Sequence, residues 1–370
     1  MKFRTIITLL LTTGSTAVVA GGFETTALST SFMYESGSYG EASMSSRTYD
    51  ITGTVYAPTG SAVKNLSKPA FAVKSDIFDN LALGLSYYNQ GAVQLDYSGA
   101  GAVPALAAGL PVVDLTIDAL TLQAKYDYSK NIALIAGIKN TTVQDASAFI
   151  FAAAGLPVTT ITGGSELGYI VGASYSIPEI AFRAELLYET ETNFSLDSTN
   201  ANAAAIGLAV AGKTTGSIPD YMTLNFQSGV ADGTLVFGSM RRADWSNHQL
   251  MVHPQSAVVG NPLGGPTSSF TNTTTINVGV GRKVTDALSL IGTYGTEAKG
   301  DAAGTSLLSM TNGYQGITIA GRYTLENATI TAGYNYTMFG DKTVTPPGLA
   351  AGSFTGNKVT GFGVKVGFSF

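Results

Sequence analysis

The chain has 370 residues, of which 12% are charged, well below the ~25% usual in soluble domains, and its net charge is −5. That balance argues against a nucleic-acid partner, and none is expected. The absence of cysteine excludes disulfides, thiolate metal sites, a cysteine nucleophile and lipid attachment at an N-terminal cysteine. With 44 Gly, 18 Tyr and 17 Phe against one Trp, the composition suits a transmembrane barrel, whose outer face meets lipid and whose inner face needs small and polar residues. A large secreted sandwich is the competing class.

Lys2 and Arg4 precede an apolar stretch over residues 6–11, and small residues then lead to Val18-Val19-Ala20. This is the pattern of a secretory signal cut after Ala20, so residues 1–20 are read as a signal peptide. The stretch is too short for the ~20 residues of a spanning helix, and the longest later apolar run covers only residues 203–211. Such a chain can cross a membrane as a closed barrel, where strand pairing satisfies every backbone N–H and C=O.

Residues 21–39, GGFETTALSTSFMYESGSY, mix Gly, Ser and Thr with Phe23, Leu28, Phe32, Met33 and Tyr34. A loose tail has no use for these apolar side chains, whereas a plug folded into a lumen does; an extra edge strand is the alternative. From residue 40 to residue 370 the chain breaks into segments of strand period. Fourteen strands are predicted, over 40–54, 70–78, 81–97, 114–128, 131–145, 166–177, 180–196, 220–230, 232–243, 271–283, 286–299, 314–324, 328–340 and 357–370. Tight turns such as Asp79-Asn80, Ser129-Lys130, Thr285-Asp286 and Glu326-Asn327 alternate with long loops at 55–69, 98–113, 146–165, 197–219, 244–270, 300–313 and 341–356. Short turns on one side and long loops on the other mark a barrel with periplasmic turns and extracellular loops. The expected fold is all-β: a transmembrane antiparallel β-barrel of about 14 strands, with an N-terminal plug segment in its lumen.

Alternation also sorts the faces. Leu120, Leu122, Ala124, Tyr126, Phe182, Ala184, Leu186 and Tyr188 should face lipid; Lys125, Asp127, Arg183, Glu185 and Glu189 should face the lumen, with Lys139, Arg241, Arg322 and Lys365. A charge on the lipid side near the midplane costs about 2–4 kcal/mol, so this sorting is physically required. The lumen charges either pair with one another or meet a solute; Lys125, Lys139, Arg183, Arg241 and Arg322 are the cations available to a carboxylate head. Tyr87, Tyr88, Tyr126, Tyr128, Tyr188, Tyr323, Tyr334 and Tyr336 lie near strand ends and read as interfacial girdle residues.

Two long loops are unusually apolar. Loop 146–165 carries Phe149, Phe151 and Leu156, and loop 197–219 carries Ile206 and Leu208. They either form a greasy landing groove with a short amphipathic helix in each loop or pack on each other as a cap. The two histidines, His248 and His253, share loop 244–270 without carboxylates or cysteines at ligand spacing. Neither falls in a predicted strand opposite a serine, as a hydrolytic barrel requires. No catalytic residue, metal or cofactor is expected.

The closing strand, NKVTGFGVKVGFSF, places Phe362, Val364, Val366, Phe368 and Phe370 on one face and ends the chain on an aromatic residue, as outer-membrane barrels do. Together with the strand count, the leading segment and the apolar third and fourth loops, it resembles the FadL/TodX family of outer-membrane transporters for long-chain fatty acids and hydrocarbons. Locally, GSELGYIVGASYSIPEIAFRAELLYETETNFSL (residues 164–196) is similar to the family's sixth and seventh strands, and SIPDYMTLNFQSGVADGTLVFGSMRRADWS (residues 217–246) to its eighth and ninth. The chain departs from the family in lacking an Asn-Pro-Ala motif between residues 21 and 68. The resemblance implies passive uptake across the bacterial outer membrane. Hydrophobic small molecules would be caught by the apolar loops, held in a lumen pocket and released when the plug (Phe23, Leu28, Phe32) shifts. They would then escape sideways into outer-membrane lipid beside the third strand, where Gln90-Gly91 interrupts the alternation; an ordinary bulge is the competing reading of that interruption. The closing Phe370 is the expected point of contact with the barrel-assembly machinery. An open porin for small polar solutes and a non-transporting structural or adhesion barrel are the alternatives.

Overall fold

The computed structural model describes residues 21–97, 110–149, 158–254, 265–300, 303–346 and 350–370; the expected signal, residues 1–20, lies outside them. Fourteen long strands form the wall: β1 (Tyr39–Asp50), β2 (Leu66–Phe78), β3 (Leu81–Asp96), β4 (Val112–Asp127), β5 (Ile132–Val143), β6 (Gly164–Ile177), β7 (Phe182–Glu189), β8 (Tyr221–Ala231), β9 (Thr234–Ala243), β10 (Thr273–Lys283), β11 (Leu288–Glu297), β12 (Tyr314–Thr324), β13 (Ala328–Phe339) and β14 (Lys358–Ser369). Each pairs antiparallel with the next, and β14 closes on β1 from Tyr39↔Ser369 to Asp50↔Lys358. Closure leaves no free sheet edge at the seam, which is what lets a strand wall sit in lipid.

The two faces separate as alternation requires. Leu120, Leu122, Tyr126, Leu186, Tyr188, Leu224, Ile317 and Ile319 are exposed on the outside, while Lys125, Lys139, Glu185, Glu189, Arg241 and Arg322 are buried on the inside. Tyr88 is a correction to the girdle: it points inward and is buried, packed on Leu28, Ala119 and Ile170. The predicted strand 180–196 is two elements. Wall strand β7 ends at Glu189, where the Thr190 hydroxyl accepts the Tyr169 N–H (2.8 Å) in place of a ladder carbonyl. A separate hairpin, Thr192–Thr199 with Ala211–Ile218, then rises above the wall. Its tip holds a single 3₁₀ turn, Ala203–Ile206, in place of the amphipathic helix expected there. Ala146–Phe149 and Thr159–Ile161 pair with each other and extend the wall at the same end.

One stretch of wall is incomplete. β2 pairs with β3 only from Phe71↔Tyr87 to Phe78↔Leu81. Residues 66–70 pair with β1 alone, and from Tyr88 onward β3 pairs with β4 alone. The chain ahead of β2 rejoins β3 at Val63↔Leu95. Pro69 lies in the stretch without a β3 partner, where a residue lacking an N–H costs no ladder bond. On the other side β3 bulges, with a register shift between Asn89 and Gly91. The Asn89 side chain holds the bulge by donating to Ile117 O (3.0 Å), Gly91 O (3.2 Å) and Asp118 Oδ1 (3.0 Å).

Candidate functional site

Residues 21–38 are not a fifteenth wall strand. They run along the inward-facing side chains, from the long-loop end down to the turn end where β1 begins. Where β2 leaves β3, this segment takes its place: Thr25 N–H donates to Gln90 O (2.8 Å), and Ala92 N–H donates to Phe23 O (3.1 Å). Glu24 and Gly91 form the bridge between them. A Cβ at Gly91 would stand 2.9 Å from both Phe23 Cδ2 and Phe23 O, so the close approach requires glycine. Lower down, Phe32 and Met33 are buried against Tyr39, Ala72 and Ala82. Burial of such side chains stabilises by about 1.5–3 kcal/mol each relative to exposure, which offsets the entropy of ordering a segment with little regular structure. Burial also pushes the Glu35 carboxyl up to about 7, against the pull of Arg322 and Lys365.

Two polar clusters fix the segment to the wall. In the upper one, Glu24 accepts from Arg241 at Nη2 (2.6 Å) and Nε (3.1 Å). Arg241 Nη1 donates to Glu189 (2.7 Å) and to Thr223 (2.6 Å), and Lys139 pairs with Glu189 at 2.9 Å. The guanidinium also stacks over the Tyr221 ring at 3.8 Å. Two buried cations thus balance two buried carboxylates, the condition under which such charges are tolerated. In the lower cluster, Thr30 and Tyr34 each donate to Glu185 at 2.6 Å, and Arg183 lies over the Tyr34 ring at 3.7 Å.

Two cavities flank these clusters. The first, at the long-loop end, is walled by Phe23, Leu115, Ile117, Ile161, Phe194, Leu196, Ile218 and Leu250, and the surface facing it is wholly apolar. It holds only about 30 Å³, room for a few waters. Phe23 forms one wall of it: the ring packs edge-on against Trp245 (4.6 Å) and Phe270 (5.5 Å). The second cavity, about 130 Å³, opens at the β2–β3 gap between Ala70, Phe71 and Tyr87, and reaches Thr26, Ala27 and Phe32 inside. Arg47, Lys68 and Lys365 line it; Lys365 pairs with Glu41 at 3.1 Å, while Arg47 and Lys68 have no ion-pair partner among the described residues.

The same architecture recurs among solved structures. A FadL homologue from Pseudomonas aeruginosa superposes with a TM-score of 0.75 at 14% identity, over 92% of each chain. The barrel fold is FadL-like. The Pseudomonas putida toluene transporter TodX follows at 0.61 and 11% identity, over 95% of this chain and 98% of that one. The Ralstonia pickettii toluene transporter TbuX gives 0.60 and 10% over 91% and 90%. No protein-family model and no curated protein matches the sequence. TodX and TbuX are named as toluene transporters, and CymD, at a TM-score of 0.58 and 10% identity over 92% and 90% of the two chains, as a monoaromatic hydrocarbon channel.

Within the FadL-like frame, Phe23, Leu28 and Phe32 are buried in the lumen, and Gln90 and Gly91 form the bulge beside the gap. Of the five candidate cations, Lys139 and Arg241 share the upper cluster, Arg183 belongs to the lower one, and Lys125 pairs with Asp127 at 2.7 Å beside Tyr34. Arg322 is buried on the inner face. Phe151 and Leu156 lie outside the described residues, as do the side chains of Phe149 and Ile206, and Leu208 is half-buried beyond the apolar cavity. That cavity is built instead from Phe194, Leu196 and Ile218, whose alternation along the hairpin was the available signal, and from Leu250 in loop 244–270. His248 faces Ser217, Nδ1 to Oγ at 2.7 Å, with the half-exposed Glu191 at 3.8 Å from Nε2, a contact that docks loop on hairpin.

Proposed function

We propose that this chain is an outer-membrane channel for passive uptake of hydrophobic molecules. The observation that carries the reading is a closed barrel with residues 21–38 held along its inner face and a gap in its wall between β2 and β3. A hydrophobic solute leaving through the gap enters lipid, and at about 25 cal/mol per Å² that route is favoured over release into water. The apolar cavity at the long-loop end receives the solute, Phe23 moves aside to enlarge it, and the segment 21–38 acts as the plug. Exit is lateral, between β2 and β3 past Gln90 and Gly91. The similar structures named as toluene transporters support a hydrocarbon; Arg47 and Lys68 at the gap suit the carboxylate head of a long-chain fatty acid. Phe370, at the barrel seam and exposed, serves the assembly machinery.

The test is entry of labelled toluene, labelled oleate and a polar sugar of similar size into cells with an intact lipopolysaccharide leaflet. Expression of the chain should accelerate toluene, oleate or both, and leave the sugar unchanged. Faster sugar entry with neither greasy solute affected would favour the open porin.

A further inference from the structure

We propose that cleavage after Ala20 frees a Gly21 amine that stays inside the barrel and pairs with the buried Glu297 carboxylate, locking the start of the segment in place. The proposal depends on that cleavage and is independent of what passes through the channel.

Glu297, the last residue of β11, is 4% exposed and accepts a hydrogen bond from Thr275 Oγ1 (3.2 Å). It has no ion pair among the described residues, and the Gly21 backbone nitrogen faces it as a second donor. The nearest other acid, Glu24, is already held by Arg241. A buried carboxylate without a cation is unfavourable, because desolvation is not repaid by attraction to an opposite charge. An amide N–H at residue 21 supplies a hydrogen bond but no charge. An α-amino group, with its ordinary pKa of about 8, supplies both at neutral pH.

The surroundings fit a chain end. Gly21 and Gly22 are both buried, and the Gly21 carbonyl accepts the Thr271 N–H at 2.9 Å. A Cβ at Gly21 would overlap Thr273 Cγ2, and one at Gly22 would overlap the Trp245 ring. The position therefore admits only glycine, and it sets the amine by a buried acid that has no ion pair among the described residues. Processing would thus be coupled to plugging: the charge that seats the first residue does not exist until the signal is removed.

The experiment uses the protein purified from outer membranes in detergent. Intact mass should show a mature chain beginning at Gly21. Amine-reactive ester is then applied at pH 7, and labelling of the N-terminal peptide is followed by mass spectrometry. The folded protein should label at least tenfold more slowly than the urea-unfolded chain, and Glu297→Gln should remove most of that protection while the barrel keeps its heat-modifiable gel mobility. If Glu297→Gln fails to assemble, an alanine inserted between Ala20 and Gly21 displaces the amine by one residue and should likewise restore labelling. A mature chain starting elsewhere, equal labelling in folded and unfolded protein, or protection unchanged in both variants would overturn the proposal.

Discussion

Arg241→Ala is expected to release the N-terminal segment from the lumen and to cost about 3–5 kcal/mol of docking stability, the range for removing one partner of a buried charge network. The guanidinium holds Glu24 on the segment and Glu189 on β7 at once, at 2.6 and 2.7 Å. Without it, two buried carboxylates face Lys139 alone. The segment can relieve that excess by carrying Glu24 into water, whereas the wall strands cannot move without breaking their ladders. The loss should therefore appear as protease cleavage within residues 21–38 and as increased conductance, with the barrel still resisting detergent. Glu24→Ala combined with Arg241→Ala restores the charge balance, since Glu189 and Lys139 remain as a pair. The double variant should be less impaired than Arg241→Ala alone, a non-additivity expected of residues in one network. Equal impairment, or no cleavage in the single variant, would count against the latch.

Gly91→Val should slow entry of hydrophobic solutes while leaving assembly of the barrel intact. The added Cβ meets Phe23 at 2.9 Å on both ring and backbone, and overpacking of this kind costs about 1–3 kcal/mol. Phe23 is confined on its far side by Trp245 and Phe270, so the clash drives its ring toward the apolar cavity, which has little spare volume. Uptake in cells measures the effect; Gly91→Ala, with a smaller side chain, should give a weaker one. Normal uptake in the valine variant would remove the bulge from the solute's route.

Most of the wall could be read from residues alone, because period-two alternation and tight turns are local signals. β14 is the clearest case, since each apolar residue from Phe362 to Phe370 has a small or polar neighbour. The misses have local causes as well. Alternation runs on across Thr190 and Glu191, so β7 and the hairpin behind it read as one strand although the ladder breaks there. Residues 66–69 read as loop because Lys68 and Pro69 are poor strand residues, and in the fold they pair on one side only. The lumen clusters were half legible. Inner-face alternation marked Lys139, Arg183 and Arg241, but nothing local connects Arg241 to Glu24, 217 residues away. A carboxylate in a Gly, Ser and Thr-rich segment has no periodic context, so only the fold shows what it meets. Arg47 and Lys68 were missed for a related reason: the cavity they line exists because a ladder is absent, and absence of pairing leaves no mark in a single strand.

The proposed channel is a barrel shut to water along its axis and open to greasy solutes through its wall. Single-channel recording of the unmodified protein in a planar bilayer tests this most directly. A quiet trace, with at most brief openings, is the expected result if residues 21–38, held by Glu24 on Arg241 and by Thr30 and Tyr34 on Glu185, act as the plug. A large, steady conductance would contradict it, since a water-filled path would then exist beside the segment and the gap between β2 and β3 would no longer be needed as an exit.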